Sequence, residues 1–127
     1  MVTISQLMTR KLVTVPAGTS VADAARIMTD RHVGSVFIEQ ADRVVGIVTE
    51  SDIVRKVVGE NKPVHFVAVE SIMSSPVISL DEQRSITEAA DLMQHHHTRH
   101  LGVLQSGAIV GVLSVRDLLQ PVSVDEF

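Results

Sequence analysis

The sequence predicts an α+β fold assembled twice from one unit of order strand, helix, strand, strand, helix. Three observations carry this. The chain repeats itself at a spacing of 65 residues with no insertion or deletion, so that Met8 to Ile53 reads against Met73 to Leu118. Ten of those 46 aligned pairs are identical, among them Met8/Met73, Ala24/Ala89, His32/His97, Gly46/Gly111 and Asp52/Asp117. Apolar periodicity changes at matching places in both copies, from strand-like to helical and back. Turn and cap residues separate the same segments in each. An internal repeat dominates any other reading of a chain, and two packed copies of one unit imply pseudo-two-fold symmetry with two related clefts.

Each copy opens on an extended run, Leu12-Val13-Thr14-Val15 and Val77-Ile78-Ser79-Leu80. Both runs favour the β-branched residues that fit a pleated surface. Helix-start signals follow. Ser20-Val21-Ala22-Asp23 resembles a capping box, and Ser85-Ile86-Thr87-Glu88 has the full Ser-x-x-Glu spacing. Val21, Ala24, Ala25, Met28 and Ile86, Ala89, Ala90, Met93 then recur at helical spacing. Their alanine pairs predict close approach of the helix to a sheet or another helix. Next come two short strands, Ser35–Glu39 with Val44–Val48, and His100–Leu104 with Ile109–Leu113. The polar tips Gln40–Arg43 and Gln105–Ala108 predict hairpin turns. Gly46 and Gly111, in or beside the last strand, mark close approach by backbone or ligand. Each copy closes with a helix, Asp52–Val58 before Gly59 and Asp117–Gln120 before Pro121. The repeats span 1–58 and 69–127, with 59–68 as a linker. One repeat alone has a thin core; two packed together share an adequate one.

Composition narrows the function. With 45% hydrophobic and 20% charged residues the chain falls among ordinary soluble domains. The absence of cysteine excludes disulfides and thiolate metal sites. No stretch approaches the roughly 20 apolar residues of a membrane span. The N-terminus lacks the blocks of a signal peptide, so cytoplasm is the expected compartment. A net charge of −4 argues against nucleic acid. With no Trp or Tyr and three Phe there is no stacking platform. No glycine-rich phosphate loop or catalytic triad ordering is present. The expectation is a protein that is not an enzyme.

The runs Val45-Gly46-Ile47-Val48-Thr49-Glu50-Ser51-Asp52-Ile53 and Val110-Gly111-Val112-Leu113-Ser114-Val115-Arg116-Asp117-Leu118 resemble the closing pattern of the CBS domain, the regulatory module named after cystathionine β-synthase. The leading segments Ile4–Thr9 and Val69–Ser74 resemble that family's opening, and Arg99–Val103 its Arg/His-rich strand start, with Gly102 where proline is common. The resemblance covers nearly the whole chain. It implies a disc-like α+β module with a pseudo-two-fold axis, standing alone as a regulatory sensor. It also implies two crosswise clefts for adenine nucleotides or adenosyl compounds: AMP, ADP, ATP or S-adenosylmethionine. Carried over, one cleft joins Ile47, Thr49 and Asp52 with Val77, Ile78, Arg99, His100 and Gly102. The other joins Val112, Ser114 and Asp117 with Leu12, Val13, Gly34, Ser35 and Phe37.

The chemistry of such a site is simple. A carboxylate accepts from both ribose hydroxyls, at roughly 1.5–3 kcal/mol per charge-assisted bond. The alternative reading makes Asp52 and Asp117 helix caps only, and Thr49 and Ser114 likewise. Arg99 and His100 suit a phosphate, so the expected tighter cleft is that of Asp52. His95, His96 and His97 diverge from one helix face and read as a solvated helix end or a pH-responsive or phosphate-binding group rather than a metal site. No metal or required cofactor is expected. A homodimer is expected through the apolar helix of Ile53, Val54, Val57 and Val58, echoed by Leu118 and Leu119, together with a protein partner that the sequence does not identify. A scaffold with empty clefts is the competing function, favoured by Gly34, Phe37 and Gly102 at site positions. Phosphate number and base identity stay open.

Overall fold

The structure, a computed structural model, describes residues 1–119. Gln120 and Pro121, at the expected end of the last helix, lie outside them. The chain forms two compact units, one of Leu12–Val77 and one of Met1–Lys11 with the chain from Ile78 onward. Mixed α+β architecture is present in both.

The Leu12–Val77 unit holds β1 (Thr14–Pro16), α1 (Val21–Arg31), β2 (Ser35–Gln40), β3 (Arg43–Thr49) and α2 (Glu50–Ile53). Helix α2 continues as a π turn over Val54–Val58. The sheet order is β1-β2-β3, with β1 parallel and β3 antiparallel to β2. The expected first strand starts later, at Thr14, yet Val13 still accepts a bond from the Phe37 amide at 2.9 Å. Ala41 and Asp42 turn the hairpin with φ of 53° and 62°. Two central residues with positive φ match the right-handed twist of the strands. Val15, Val36, Ile38 and Val48 from the sheet bury against Val21, Ala24 and Met28 of α1. Each such aliphatic side chain contributes roughly 1.5–3 kcal/mol.

The other unit repeats this with β4 (Ser79–Asp81), α3 (Ile86–His96), β5 (His100–Gln105), β6 (Ala108–Ser114) and α4 (Val115–Leu118). Its sheet order is β4-β5-β6. Ser106 and Gly107 turn its hairpin, again with positive φ. Its core gathers Leu101, Val103 and Leu113 with Ala89, Met93 and Ile4. Ser20 and Ser85 cap α1 and α3, accepting from the Asp23 and Glu88 amides at 3.1 Å. The full box expected at Ser85 does not close, because Glu88 turns to Arg84 at 2.8 Å. His32 and His97 end the two helices in the left-handed region.

Sequence repeats and spatial units divide the chain differently. The leading segment of each copy packs on the sheet of the other copy. Thr9 and Val112 exchange two backbone bonds of 3.0 Å, and the matching pair Ser74 and Ile47 does the same at 2.9 and 3.1 Å. Further up each segment, the Ile4 amide donates to Arg84 O, and its counterpart Val69 to Thr19 O. The expected linker is drawn into this docking. Val64 and Val67 carbonyls accept from Ala22 and Val21 amides, which satisfies two free donors at the start of α1.

The two strand glycines make the docking possible. A Cβ on Gly46 would stand 2.5 Å from Met73 Sδ and 2.9 Å from the Ser74 carbonyl. One on Gly111 would meet the Thr9 carbonyl, with Met8 Cε at 2.6 Å. The obstacle is backbone in both cases and cannot rotate away. Gly111→Ala is expected to lower stability by about 1–3 kcal/mol, the usual range for overpacking. Gly18→Ala, where nothing lies within 4 Å, changes it little. Urea midpoints of the two variants check this contrast.

Candidate functional site

Each unit carries the same polar motif where its third strand becomes a helix. Thr49 leaves β3 in extended conformation and caps α2. Its amide and hydroxyl donate to Asp52 Oδ2 at 2.9 and 3.1 Å, and its hydroxyl accepts from the Asp52 amide at 3.2 Å. Ser114 and Asp117 build the same box, with Ser114 N to Asp117 Oδ2 at 2.8 Å and Asp117 N to Ser114 Oγ at 3.3 Å. The capping reading is therefore realised at both aspartates. It leaves a second carboxylate oxygen on each that the box does not use.

Those second oxygens differ. Asp52 Oδ1 pairs with Lys56 Nζ at 3.1 Å, and the same ammonium donates to the Ile72 carbonyl at 2.9 Å. No described residue donates to Asp117 Oδ1. Sequence reasoning missed Lys56, although an Asp and a Lys four positions apart on a helix are facing neighbours.

Strand register decides what stands beside each motif. Ser35 lies opposite Thr49, and His100 opposite Ser114. The carbonyls of Gly34 and Arg99 accept from Glu50 and Val115 amides at 3.0 and 2.9 Å. An antiparallel hairpin sets the start of its first strand against the end of its second, so Arg99 and His100 border the Ser114–Val115 step of their own unit. The expected grouping of these cations with Asp52 draws on residues of both units, and binding by Asp52→Ala and Asp117→Ala variants decides it.

One unit thus holds Leu12, Val13, Gly34, Ser35, Phe37, Ile47, Thr49, Asp52 and Val77, and the other Ile78, Arg99, His100, Gly102, Val112, Ser114 and Asp117. Val13, Ser35, Phe37, Ile47 and Gly102 are buried, Leu12 and Arg99 are exposed, and the rest are half-buried. Arg99 forms no ion pair with any described residue. His95 and His96 are exposed at the end of α3, ring against ring at 4.9 Å, and no metal-binding group is found among the described residues. No described helix is long and apolar enough to cross a membrane.

The motif falls at the same place in both copies, and both copies match the family model of the CBS domain, over residues 4–59 and 69–123. The chain is a tandem pair of CBS domains. This CBS pair is 37% identical over 117 residues to an uncharacterized 17.7 kDa protein of Acidianus ambivalens, across 91% of this chain and 70% of that one. It is 32% identical over 121 residues to an uncharacterized Methanopyrus kandleri protein, of which it spans 62%, and 94% of this chain is covered. Among solved structures, it resembles a CBS domain protein from Pyrobaculum aerophilum complexed with AMP (TM-score 0.85, 29% identity, 98% and 96% coverage). It also resembles a hexameric CBS-CP12 protein from bloom-forming cyanobacteria (TM-score 0.90, 27% identity, 99% and 74% coverage). Tandem CBS pairs are regulatory modules.

The caps of the CBS pair have a structural role that binding does not. Thr49→Ala and Ser114→Ala are each expected to lose about 1 kcal/mol of stability, as helix-cap deletions do. Denaturant unfolding without any added nucleotide measures this.

Proposed function

We propose that the CBS pair senses an adenine nucleotide or related adenosyl compound through its cap carboxylates. The observation that carries the reading is the Oδ1 of Asp117, to which no described residue donates, in the unit where His100 lies opposite the Ser114 cap and Arg99 precedes it. A ribose presents two hydroxyl donors, and an ionised carboxylate accepts both. Arg99, exposed and outside any ion pair with the described residues, offers a planar fork to a phosphate. The AMP-bound relative supports the ligand class. Of the four candidates, AMP is the first choice because it needs one phosphate group and one cationic fork.

Calorimetric titration tests this. Asp117→Ala is expected to remove the tight AMP-binding event, and Arg99→Ala to weaken AMP about tenfold or more while leaving adenosine affinity unchanged. Loss of one charge-assisted bond, about 1.5–3 kcal/mol, corresponds to that factor. Equal losses for AMP and adenosine on Arg99→Ala would remove the phosphate role.

A second reading is an assembly module, favoured by apolar residues on the closing helices. Val54 and Val58 are 60% and 56% exposed and stand one helical turn apart, and Leu119, the counterpart of Val54, is 77% exposed. We propose that a second copy of the chain covers this face, in the first instance as a homodimer. The hexameric relative supports self-association. Val54→Glu with Val58→Glu is expected to reduce the assembly to monomers in light scattering, while buried Val57 keeps the fold.

A further inference from the structure

We infer that Lys56 is an internal competitor that makes the two cap carboxylates unequal, so that the CBS pair binds nucleotide tightly at Asp117 and weakly at Asp52. The inference rests on the nucleotide reading and goes beyond it by assigning a regulatory lysine.

At Asp52 both carboxylate oxygens have partners. Oδ2 takes the Thr49 amide and hydroxyl, and Oδ1 takes Lys56 Nζ at 3.1 Å. The Asp52 side chain is only 15% exposed, so little of the carboxylate is open to solvent, and the ammonium already occupies Oδ1. The Lys56 side chain is 43% exposed but has two partners. It is held at a second point by the Ile72 carbonyl at 2.9 Å, and Ile72 is itself buried. A ribose must either displace two Lys56 bonds or share an oxygen whose charge is already compensated. Sharing forfeits the charge assistance that gives the contact its strength.

At Asp117 no described residue plays this part, and the sequence has no lysine at the matching position. The position 65 residues after Lys56 is Pro121. Proline has no side-chain donor, no amide hydrogen and no charge. The repeat is kept through Asp52/Asp117 and Ile53/Leu118, so one copy carries the lysine four residues after its aspartate and the other does not. Lys56 also joins ligand binding to the leading segment. Displacing it from Asp52 leaves it on the Ile72 carbonyl alone, next to the Met73-Ser74 step that docks on Gly46.

The test is calorimetry of the full chain with AMP, after circular dichroism confirms folding. Wild type is expected to bind one AMP per chain tightly, and Asp117→Asn to remove that event. Lys56→Met is expected to add a second event, or to tighten a weak one at least tenfold, and Lys56→Met with Asp52→Asn to lose it again. Lys56→Gln, which keeps a donor for the Ile72 carbonyl, serves if the Met variant unfolds and should show the same gain. One tight AMP in wild type with no gain in either folded Lys56 variant overturns the lysine inference and leaves the nucleotide reading standing. So do two equal AMP events in wild type. Absence of AMP binding in every folded variant overturns both.

Discussion

The contact on which the rest depends is backbone against backbone at two glycines. Peptide groups of Thr9 and Ser74 reach the last strands of their sheets only because Gly111 and Gly46 present no Cβ. A strand edge left open would carry unpaired amides and carbonyls. Here the leading segments occupy part of it through paired bonds to Val112 and Ile47. Each segment then continues as a short 3-10 turn, Ile4–Gln6 or Val69–Ser71, and buries Ile4 or Val69 in the adjoining core. The helices α1 and α3 in turn take carbonyls from Val67 and Val2 at their first amides. Remove the close approach and the edge, the core plug and a helix cap are all disturbed together.

Local chemistry was legible in the sequence because its causes are local. Two-residue turns need positive φ at neighbouring positions, and Ala41-Asp42 and Ser106-Gly107 sit between β-branched runs that require one. The Ser-x-x-Asp and Thr-x-x-Asp spacings foretold the caps at α1, α2 and α4 because a box closes within one helical turn. Even the purpose of Gly46 and Gly111 was readable, as a demand for room. What the glycine makes room for was not, since the partner lies at a distance in the chain that no periodicity encodes. For the same reason the sequence showed Arg99 and His100 as a cationic pair of residues without revealing that register sets His100 opposite Ser114. Glu88 shows the opposite failure: its box was written in the sequence, but an arginine one residue before the cap drew the carboxylate away.

The two copies have drifted apart mainly in charge. Ala17 in one is buried Glu82 in the other, and Glu82 holds Arg10 at 2.8 Å while its Oε2 has no partner among the described residues. Lys56 stands against Pro121, and Gly34-Ser35 against Arg99-His100. Glu82 stands at a buried position and is paired there with Arg10, whereas Gly34-Ser35 and Arg99-His100 lie at the starts of their strands. A scaffold repeated almost faithfully thus presents two chemically different surfaces at equivalent places.

The crossed leading segments also carry a consequence for ancestry and engineering. A chain holding a single repeat has a glycine-lined strand edge and a leading segment, but its own segment is not the one that docks there. Two such chains would satisfy both edges by reciprocal domain swapping, each completing its neighbour, and their folding would depend on protein concentration. Joining the copies through residues 59–68 turns that intermolecular exchange into an intramolecular one with a fixed effective concentration. Tandem duplication is then the step that frees this fold from dilution, and an isolated half is an unfinished protein rather than a smaller one.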